Sequence, residues 1–354
     1  MEKREEMKAA LVRHYKQYPK LRIQDMFKYI YQSSFGCEHL ISSPEAVEGY
    51  IRKEAESAPS VNEIFVEPLD GDYCRVHLDC IREGLCASTL SKLFFLSAGH
   101  VEDGEERLME KLSVLTEAVE EGLLPFEKEA VTDSLHKWCE AGYPACHHSE
   151  AFRATYAPAY RLIKKEYAVF LPLFLRIDRM LRDGRVNLAI EGGSANGKTT
   201  LGTLLAQVYD CTVFHMDDFF LRPEQRTKER FAEPGGNVDR ERFLEEVLLP
   251  LHRQEPVSYR RFDCSTFTLA EPVAIHPSKL TVIEGAYSMH PELAEYYNLS
   301  VFLEISQELQ RKRIEKRNTP ELAKRFFEEW IPMEQRYFKE LKVKERCDMI
   351  CKIE

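Results

Sequence analysis

The spacing of hydrophobic residues changes near residue 185. Before that point, apolar side chains recur every three or four positions, as in Leu108, Leu112, Leu115 and Val119, which predicts a helix ending near Gly122. Further helix signals are Ser43-Pro44-Glu45, with proline at the first helical position, and residues 131–141, which Gly142 and Pro144 close. Residues 1–184 are therefore predicted to form a mostly α-helical N-terminal domain.

One β-hairpin is predicted within this helical half. Residues 64–69 and 73–78 have the composition of strands, and they flank Asp70-Gly71, a strong turn signal. A further helical stretch follows and runs to Arg182, where Gly184 ends it. The N-terminal domain is thus predicted to contain one hairpin among helices.

Residues 185–354 alternate between short apolar strands and helices. The predicted strands are 186–190, 212–216, 280–284, 299–303 and 348–353, with an extra one at 258–263. Such alternation predicts an α/β domain with a five-stranded, mainly parallel sheet covered by helices on both faces. In that architecture ligands bind at the carboxyl ends of the strands, so residues that follow the strands are the candidates for chemistry.

The composition of the chain indicates which kinds of partner the protein can bind. The formal net charge is −10, which argues against a nucleic-acid-binding protein because such proteins need a basic surface. The longest apolar run, residues 167–175, contains Pro172 and is too short to cross a bilayer, and the N-terminus lacks the apolar core of a signal peptide. The expectation is a cytoplasmic protein with a small-molecule partner and free cysteine thiols; the sequence does not indicate the oligomeric state.

The strongest motif is a phosphate-binding loop at residues 192–200. The residues are Gly192, Gly193, Ser194, Ala195, Asn196, Gly197, Lys198, Thr199 and Thr200. A predicted strand precedes this loop and a predicted helix follows it, which is the arrangement that phosphate binding requires. Backbone N–H groups and the helix N-terminus can bind phosphate oxygens, Lys198 can reach the outer phosphates, and Thr199 can ligate Mg²⁺. The sequence therefore predicts binding of a nucleoside triphosphate.

Acidic residues follow two of the other predicted strands. His215-Met216-Asp217-Asp218 comes after the second strand, where one carboxylate could accept a proton from a hydroxyl and another could hold Mg²⁺ through water. Glu284-Gly285 ends the third strand, where a carboxylate serves the hydration shell of the metal. The alternative interpretation is that Asp217 and Asp218 form a helix cap or a solvated turn. Their position after a strand of the predicted sheet favours the chemical role.

A basic segment, residues 309–317, follows the fourth strand. Arginines in a helix at this point of a P-loop kinase act as a lid and neutralise charge on the transferring phosphoryl group. A solvated basic helix face would have the same composition, so that alternative stays open.

Residues 185–354 resemble the superfamily of uridine kinase, phosphoribulokinase and nicotinamide riboside kinase. The resemblance rests on GGSANGKTT, HMDDFF, VIEG and RKRIEKR, which occur in the order of that family. It implies ATP and Mg²⁺ as cofactors, Asp217 as the catalytic aspartate and a metal-site residue, and Glu284 near the metal with Thr199. It also implies catalytic roles for Lys198 and for the lid residues Arg313 and Arg317. The alignment of the lid segment with the family can shift by one residue.

The stretch 259–266 departs from the uridine kinases that it resembles. Those proteins usually carry a histidine there that reads the nucleobase, whereas this chain has no histidine and gains Arg260 and Arg261. We expect Asp218, Arg260, Arg261 and Asp263 to contribute to the acceptor site, and an anionic or strongly polar acceptor to be favoured. The first half also resembles the N-terminal region of uncharacterised bacterial uridine-kinase-like proteins.

The expected function is ATP-dependent phosphoryl transfer to a hydroxyl of a small molecule. The alternative is a nucleotide-dependent switch or ATPase whose N-terminal domain is the effector, and the acid after the second strand separates the two because only a hydroxyl kinase needs it.

A dense polar and aromatic group at residues 146–161 suggests a further hypothesis. It includes His148, Ser149 and Tyr160, and Ser149 is expected to cap a helix. We expect part of this group to lie between the domains, near the kinase cleft.

Overall fold

The computed structural model describes residues 2–37, 43–58, 65–99 and 101–353. The chain divides into two compact units, Met1–Leu175 and Arg176–Glu354. The division falls inside the helix Leu171–Asp183, about ten residues before the change of pattern in the sequence.

The N-terminal unit consists mainly of helices. These are α1 (Glu2–Gln17), α2 (Ile23–Phe35), α3 (Pro44–Ser57), α4 (Asp79–Arg82), α5 (Ala87–Ser97), α6 (Gly104–Glu120), α7 (Lys128–Glu140), α8 (Glu150–Tyr156), α9 (Lys165–Ala168) and the start of α10 (Leu171–Asp183). The predicted helices near 44, 108–119 and 131–141 are present. Ser43 caps α3 and Ser149 caps α8, each by accepting a hydrogen bond from a backbone N–H three residues on.

The hairpin of this unit is part of a three-stranded antiparallel sheet. Its strands are β1 (Val66–Pro68), β2 (Tyr73–His77) and β3 (Tyr160–Lys164), in that order. The predicted hairpin is confirmed, although Ile64, where its first strand was expected to begin, lies outside the described residues. The third strand was not predicted, because the sequence indicated one hairpin among helices. β3 pairs with β2 along its whole length, and this long-range pairing outweighs the local preference.

A buried polar network runs through the core of the N-terminal unit. The Arg75 guanidinium, only 1% exposed, donates to Glu67 at 3.0 Å and to Gln32 at 2.8 Å. It also lies over the ring of Tyr160, with Cζ 4.7 Å from the centroid. Burying this charge is tolerated because it is paired and hydrogen-bonded.

The network continues through His148 into the group predicted at residues 146–161. Nε2 of His148 lies 2.7 Å from the Tyr160 hydroxyl, and Nδ1 lies 3.1 Å from Asp25, which also accepts from the N–H and hydroxyl of Ser149. Burial lowers the pKa of His148 to about 4, and it lowers the pKa of His14 to about 4 as well. Much of this group therefore bonds within its own unit; the placement near the kinase cleft stays a prediction.

The C-terminal unit is an α/β domain. Its strands are β4 (Val186–Glu191), β5 (Cys211–His215), β6 (Val257–Asp263), β7 (Thr268–Ile275), β8 (Leu280–Glu284), β9 (Leu299–Ile305) and β10 (Met349–Ile353). Its helices are α11 (Lys198–Val208), α12 (Lys228–Ala232), α13 (Arg240–Phe243), α14 (Leu249–Arg253), α15 (Pro291–Ala294), α16 (Gln307–Arg317), α17 (Pro320–Arg325), α18 (Ile331–Glu340) and α19 (Val343–Arg346).

Five of these strands form one parallel sheet in the order β10-β9-β4-β8-β5. The predicted fold class is thereby confirmed. The inner strands β4 and β8 are almost entirely buried, as is typical of parallel strands. Ala189, Phe214, Ile283 and Phe302 contribute to the core. The extra strand predicted at 258–263 exists as β6, but it pairs with β7 in a separate antiparallel hairpin.

The sheet register sets the position of the site. Ile190 of β4 and His215 of β5 are both paired with Glu284 of β8, so these three strands end at the same level. The loops that follow them therefore meet at one edge of the sheet, as expected for a ligand site in this architecture.

Candidate active site

The phosphate loop joins the end of β4 to the start of α11. Gly197 occupies the N-cap position of α11 with φ +91°, a conformation that L side chains rarely adopt. The side-chain amide of Asn196 donates to the carbonyl of Leu303 at 2.6 Å and ties the loop to β9. The predicted strand–loop–helix arrangement is therefore present, with its backbone held in place by a neighbouring strand.

Lys198 begins α11 and folds back over the phosphate loop. Its ammonium donates to the carbonyl oxygens of Gly192 and Gly193 at 2.8 and 2.9 Å. These contacts hold the cation at the mouth of the loop, next to the N-terminus of α11. Both features favour an anion at this point.

Thr199, Glu284 and His215 form a connected group beside the loop. The hydroxyl of Thr199 lies 3.0 Å from Oε1 of Glu284, and Nδ1 of His215 lies 2.6 Å from the same oxygen. The Glu284 carboxylate raises the pKa of His215. Mg²⁺ prefers a hydroxyl, one or two carboxylates and phosphate oxygens, and Thr199 with Glu284 fits that preference. The described residues contain no cluster of three or more His, Cys, Asp or Glu side chains that could hold a metal alone.

Asp217 lies in a 3₁₀ turn, Met216–Phe219, directly after β5. The Asp217 side chain is accessible to solvent, but neighbouring atoms partly desolvate it. Desolvation there raises the pKa of Asp217, the Lys198 ammonium lowers it, and the Glu284 carboxylate raises it. The structure thus brings the predicted aspartate within electrostatic reach of the predicted lysine and glutamate.

Gly285 allows the Asp217 turn to approach the end of β8. Its φ is +145°, and a Cβ atom added there would lie 2.5 Å from the Cβ of Met216. Any larger residue would have to displace Met216, which immediately precedes Asp217. The glycine that follows Glu284 is therefore required by the close approach of Met216 to the end of β8.

Asp218 points toward the β6–β7 hairpin and contacts one of the two predicted arginines. Nε of Arg261 lies 3.5 Å from its carboxylate, an ion-pair contact. Burial raises the pKa of Asp218, and Arg261 lowers it. Arg242 of α13 donates to the backbone carbonyls of Asp218 and Arg260 and so joins the turn to the hairpin.

The remaining predicted residues separate into those at the loop and those outside it. Arg313 donates to the carbonyl of Ala195 at 3.2 Å, whereas Arg317 is exposed and lies over the ring of Phe326. Arg260 is exposed, and Asp263 accepts from the N–H and hydroxyl of Ser265 in the hairpin turn. Thr200 is exposed on the first turn of α11.

Two carboxylates at the loop were not identified from the sequence. Glu191 is fully buried and accepts from the N–H groups of Gly192 and Met289 and from the hydroxyl of Tyr337, while burial raises its pKa to about 7. Glu334 of α18 accepts from Ser194. Glu191 could have been identified from the sequence, because it is a charged residue at the end of an apolar strand next to the loop. Glu334 gave none, because a glutamate in a polar helix usually faces water.

Comparison with known proteins adds similarity to solved P-loop structures. No family model matches the chain, and no curated protein does. A structure described as a "possible uridine kinase" from Bacillus stearothermophilus is 22% identical over 51% of this chain and 98% of its own, with a TM-score of 0.38. A shikimate kinase from Bacteroides thetaiotaomicron is 18% identical over 47% and 85%, with a TM-score of 0.27. TT1252 from Thermus thermophilus is 15% identical over 48% and 90%, with a TM-score of 0.28.

The fold and the sequence motif together define an α/β domain with a P-loop and with acidic residues at the same edge of its sheet. The phosphate loop follows β4, the aspartate pair follows β5 and the glutamate ends β8. Within the described part of the chain, no helix is long and apolar enough to span a membrane.

Proposed function

We propose that the C-terminal unit is an ATP- and Mg²⁺-dependent kinase that phosphorylates a hydroxyl of a small molecule. One observation carries the proposal: Lys198, Glu284 and Asp217 converge at the carboxyl ends of adjacent strands. Asp217 has the Lys198 ammonium and the Glu284 carboxylate as its main electrostatic neighbours.

The protein residues have separable roles in this proposal. The N–H groups of the phosphate loop and Lys198 bind the triphosphate, and Arg313 covers it from the side of α16. Thr199 and Glu284 would hold Mg²⁺, which neutralises phosphate charge when it is bound. Asp217 orients the acceptor hydroxyl and accepts its proton.

We further propose that the acceptor lies between the Asp217 turn and the β6–β7 hairpin. Arg261 of that hairpin contacts Asp218, next to Asp217, which supports an anionic or strongly polar acceptor. Phosphoryl transfer depends mostly on positioning and on charge neutralisation, and this arrangement provides groups for both.

A screen of metabolites for phosphorylated products tests this function. The protein is incubated with Mg-ATP and pools of nucleosides, sugars, sugar phosphates and hydroxy acids, and products are read by mass spectrometry. We expect one class to gain a phosphoryl group in step with ADP release. Release of inorganic phosphate alone, with every pool unchanged, would instead support the ATPase or switch alternative.

A further inference from the structure

Glu334 occupies part of the phosphate loop in this structure. Its Oε2 accepts from the backbone N–H of Ser194 at 2.9 Å, and its Oε1 accepts from the hydroxyl of the same residue at 2.6 Å. The residue is only 5% exposed. A backbone N–H of the loop and a neighbouring hydroxyl, both suited to an anion, are thus bound to a carboxylate of the protein itself.

Glu334 has the Lys198 ammonium and the Asp217 carboxylate among its electrostatic neighbours. Burial raises the pKa of Glu334, the Lys198 ammonium lowers it, and the Asp217 carboxylate raises it. Lys198 and Asp217 are the residues assigned to the outer phosphate and to the acceptor hydroxyl. The carboxylate therefore lies where the terminal phosphate of a bound triphosphate would bring like charge.

Two residues on one face of α18 contact the phosphate loop and the residue that precedes it. Glu334 binds Ser194, and Tyr337, three residues later, donates to Glu191 at 3.1 Å, immediately before the loop. A π-helical turn, Phe326–Trp330, leads into α18. Such turns are frequent at functional sites, where they allow a helix to change its local path.

Space for a displaced carboxylate exists beside it. Glu334 lines a cavity of about 460 Å³ between α16, α18 and the phosphate loop, together with Gly193, Gln310 and two lysines, Lys339 and Lys344. Lys344 is already bound to Glu304, so a glutamate that left Ser194 would turn toward Lys339.

We propose that Glu334 is a specificity-determining residue of the phosphoryl-transfer site: its carboxylate competes with the terminal phosphate for Ser194, so that a nucleoside triphosphate, but not a diphosphate, must displace it. This inference rests on the proposed function, since it requires the loop to bind a nucleotide. Mg-ATP binding releases the α18 contact to Ser194, whereas Mg-ADP binding leaves it in place.

The test compares binding of Mg-ATP and Mg-ADP by calorimetry to the full chain and to Glu334→Gln, which keeps the shape but removes the charge. The affinity for ATP relative to ADP is expected to increase about tenfold or more, because like charges in contact are strongly unfavourable. Glu345→Gln is the matched control: Glu345 lines the same cavity but is exposed, and the ratio should change less than about twofold.

The possible results distinguish failure of the Glu334 inference from failure of the proposed kinase function. An unchanged ratio in Glu334→Gln, with ATP bound by both proteins, overturns the role of Glu334 and leaves the kinase proposal standing. If neither nucleotide binds the wild-type chain, the proposed function fails first. If the variant does not fold, amide hydrogen exchange of residues 331–340 is measured in the wild type with each nucleotide. The inference predicts that exchange increases with Mg-ATP and not with Mg-ADP. Any other pattern contradicts the inference.

Discussion

The hydroxyl of Thr199 donates to Oε1 of Glu284 across 3.0 Å, although 85 positions separate the two residues in the chain. One residue starts the helix after the phosphate loop, and the other ends the neighbouring strand. Their contact brings together the two protein groups that would hold Mg²⁺ under the proposed function, so the proposal predicts that nucleotide binding depends on the metal through this pair.

Thr199→Val should weaken nucleotide binding only when Mg²⁺ is present. Valine keeps the shape of threonine but has no oxygen for the ion, so we expect ATP affinity with Mg²⁺ to fall about tenfold or more, and affinity in EDTA to stay nearly unchanged. Thr203→Val, one turn further along α11 and exposed, is the control. Equal losses with and without Mg²⁺ would remove Thr199 from the metal site.

Gly285→Ala should damage the site through the backbone. The added methyl group meets Met216 at 2.5 Å and requires a φ that alanine avoids, so we expect a loss of about 2 kcal/mol or more in the free energy of unfolding. Gly49→Ala is the control, since Gly49 lies in α3 with nothing within 4 Å of the added methyl; it should be neutral or stabilising by up to about 1 kcal/mol. Denaturant unfolding of both variants measures the difference, and equal stabilities would contradict the account.

The phosphate loop could be predicted because its information is local. Gly192, Gly197, Lys198 and Thr199 lie within eight consecutive residues, and a strand and a helix flank them. The alternating pattern likewise sufficed for the parallel sheet and for the position of Asp217 and Glu284 at its edge.

The contacts that complete the site are between distant segments. Glu334 meets Ser194 across 140 positions, and β3 was missed because its strand conformation depends on pairing with β2. No local spacing or propensity encodes such contacts. The hairpin partner β7 was missed for a different reason: it is mostly exposed and contains Pro272, so it lacks the apolar pattern of a buried strand.

Arg261→Gln and Arg260→Gln should differ once the acceptor is identified. Both arginines are exposed, but the Arg261 side chain contacts Asp218, whereas Arg260 interacts with Glu246 through its backbone N–H. We expect Arg261→Gln to raise the KM for the acceptor about tenfold with little change in the KM for ATP, and Arg260→Gln to change neither. Steady-state kinetics with both substrates varied will show whether the two variants separate; identical effects would place neither arginine in the cleft.

The N-terminal unit should lose stability as the pH falls from about 6.5 to about 4. Burial keeps His14 and His148 neutral with pKa values of about 4, below the unfolded value of about 6.5, so the unfolded chain binds more protons throughout that window. For His148, Arg75 and Lys28 lower the pKa further and Asp25 raises it.

His148→Gln tests this dependence, because the slope should decrease by up to about 1.4 kcal/mol per pH unit. His136→Gln is the control, since His136 is exposed, and its slope should match the wild type. Unfolding by urea at several pH values between 4 and 7 provides both slopes. A His148→Gln slope equal to that of the wild type would mean that this residue is not held neutral.

The central claim is that Asp217 serves the acceptor hydroxyl, and Asp217→Asn tests it most directly. The rate of phosphorylated-product formation is measured for wild type and variant with the acceptor from the screen, and Mg-ATP affinity is measured in parallel. The account predicts a rate lower by about 10²–10⁴-fold with ATP affinity within about threefold of the wild type. Transfer at the wild-type rate by Asp217→Asn would contradict it.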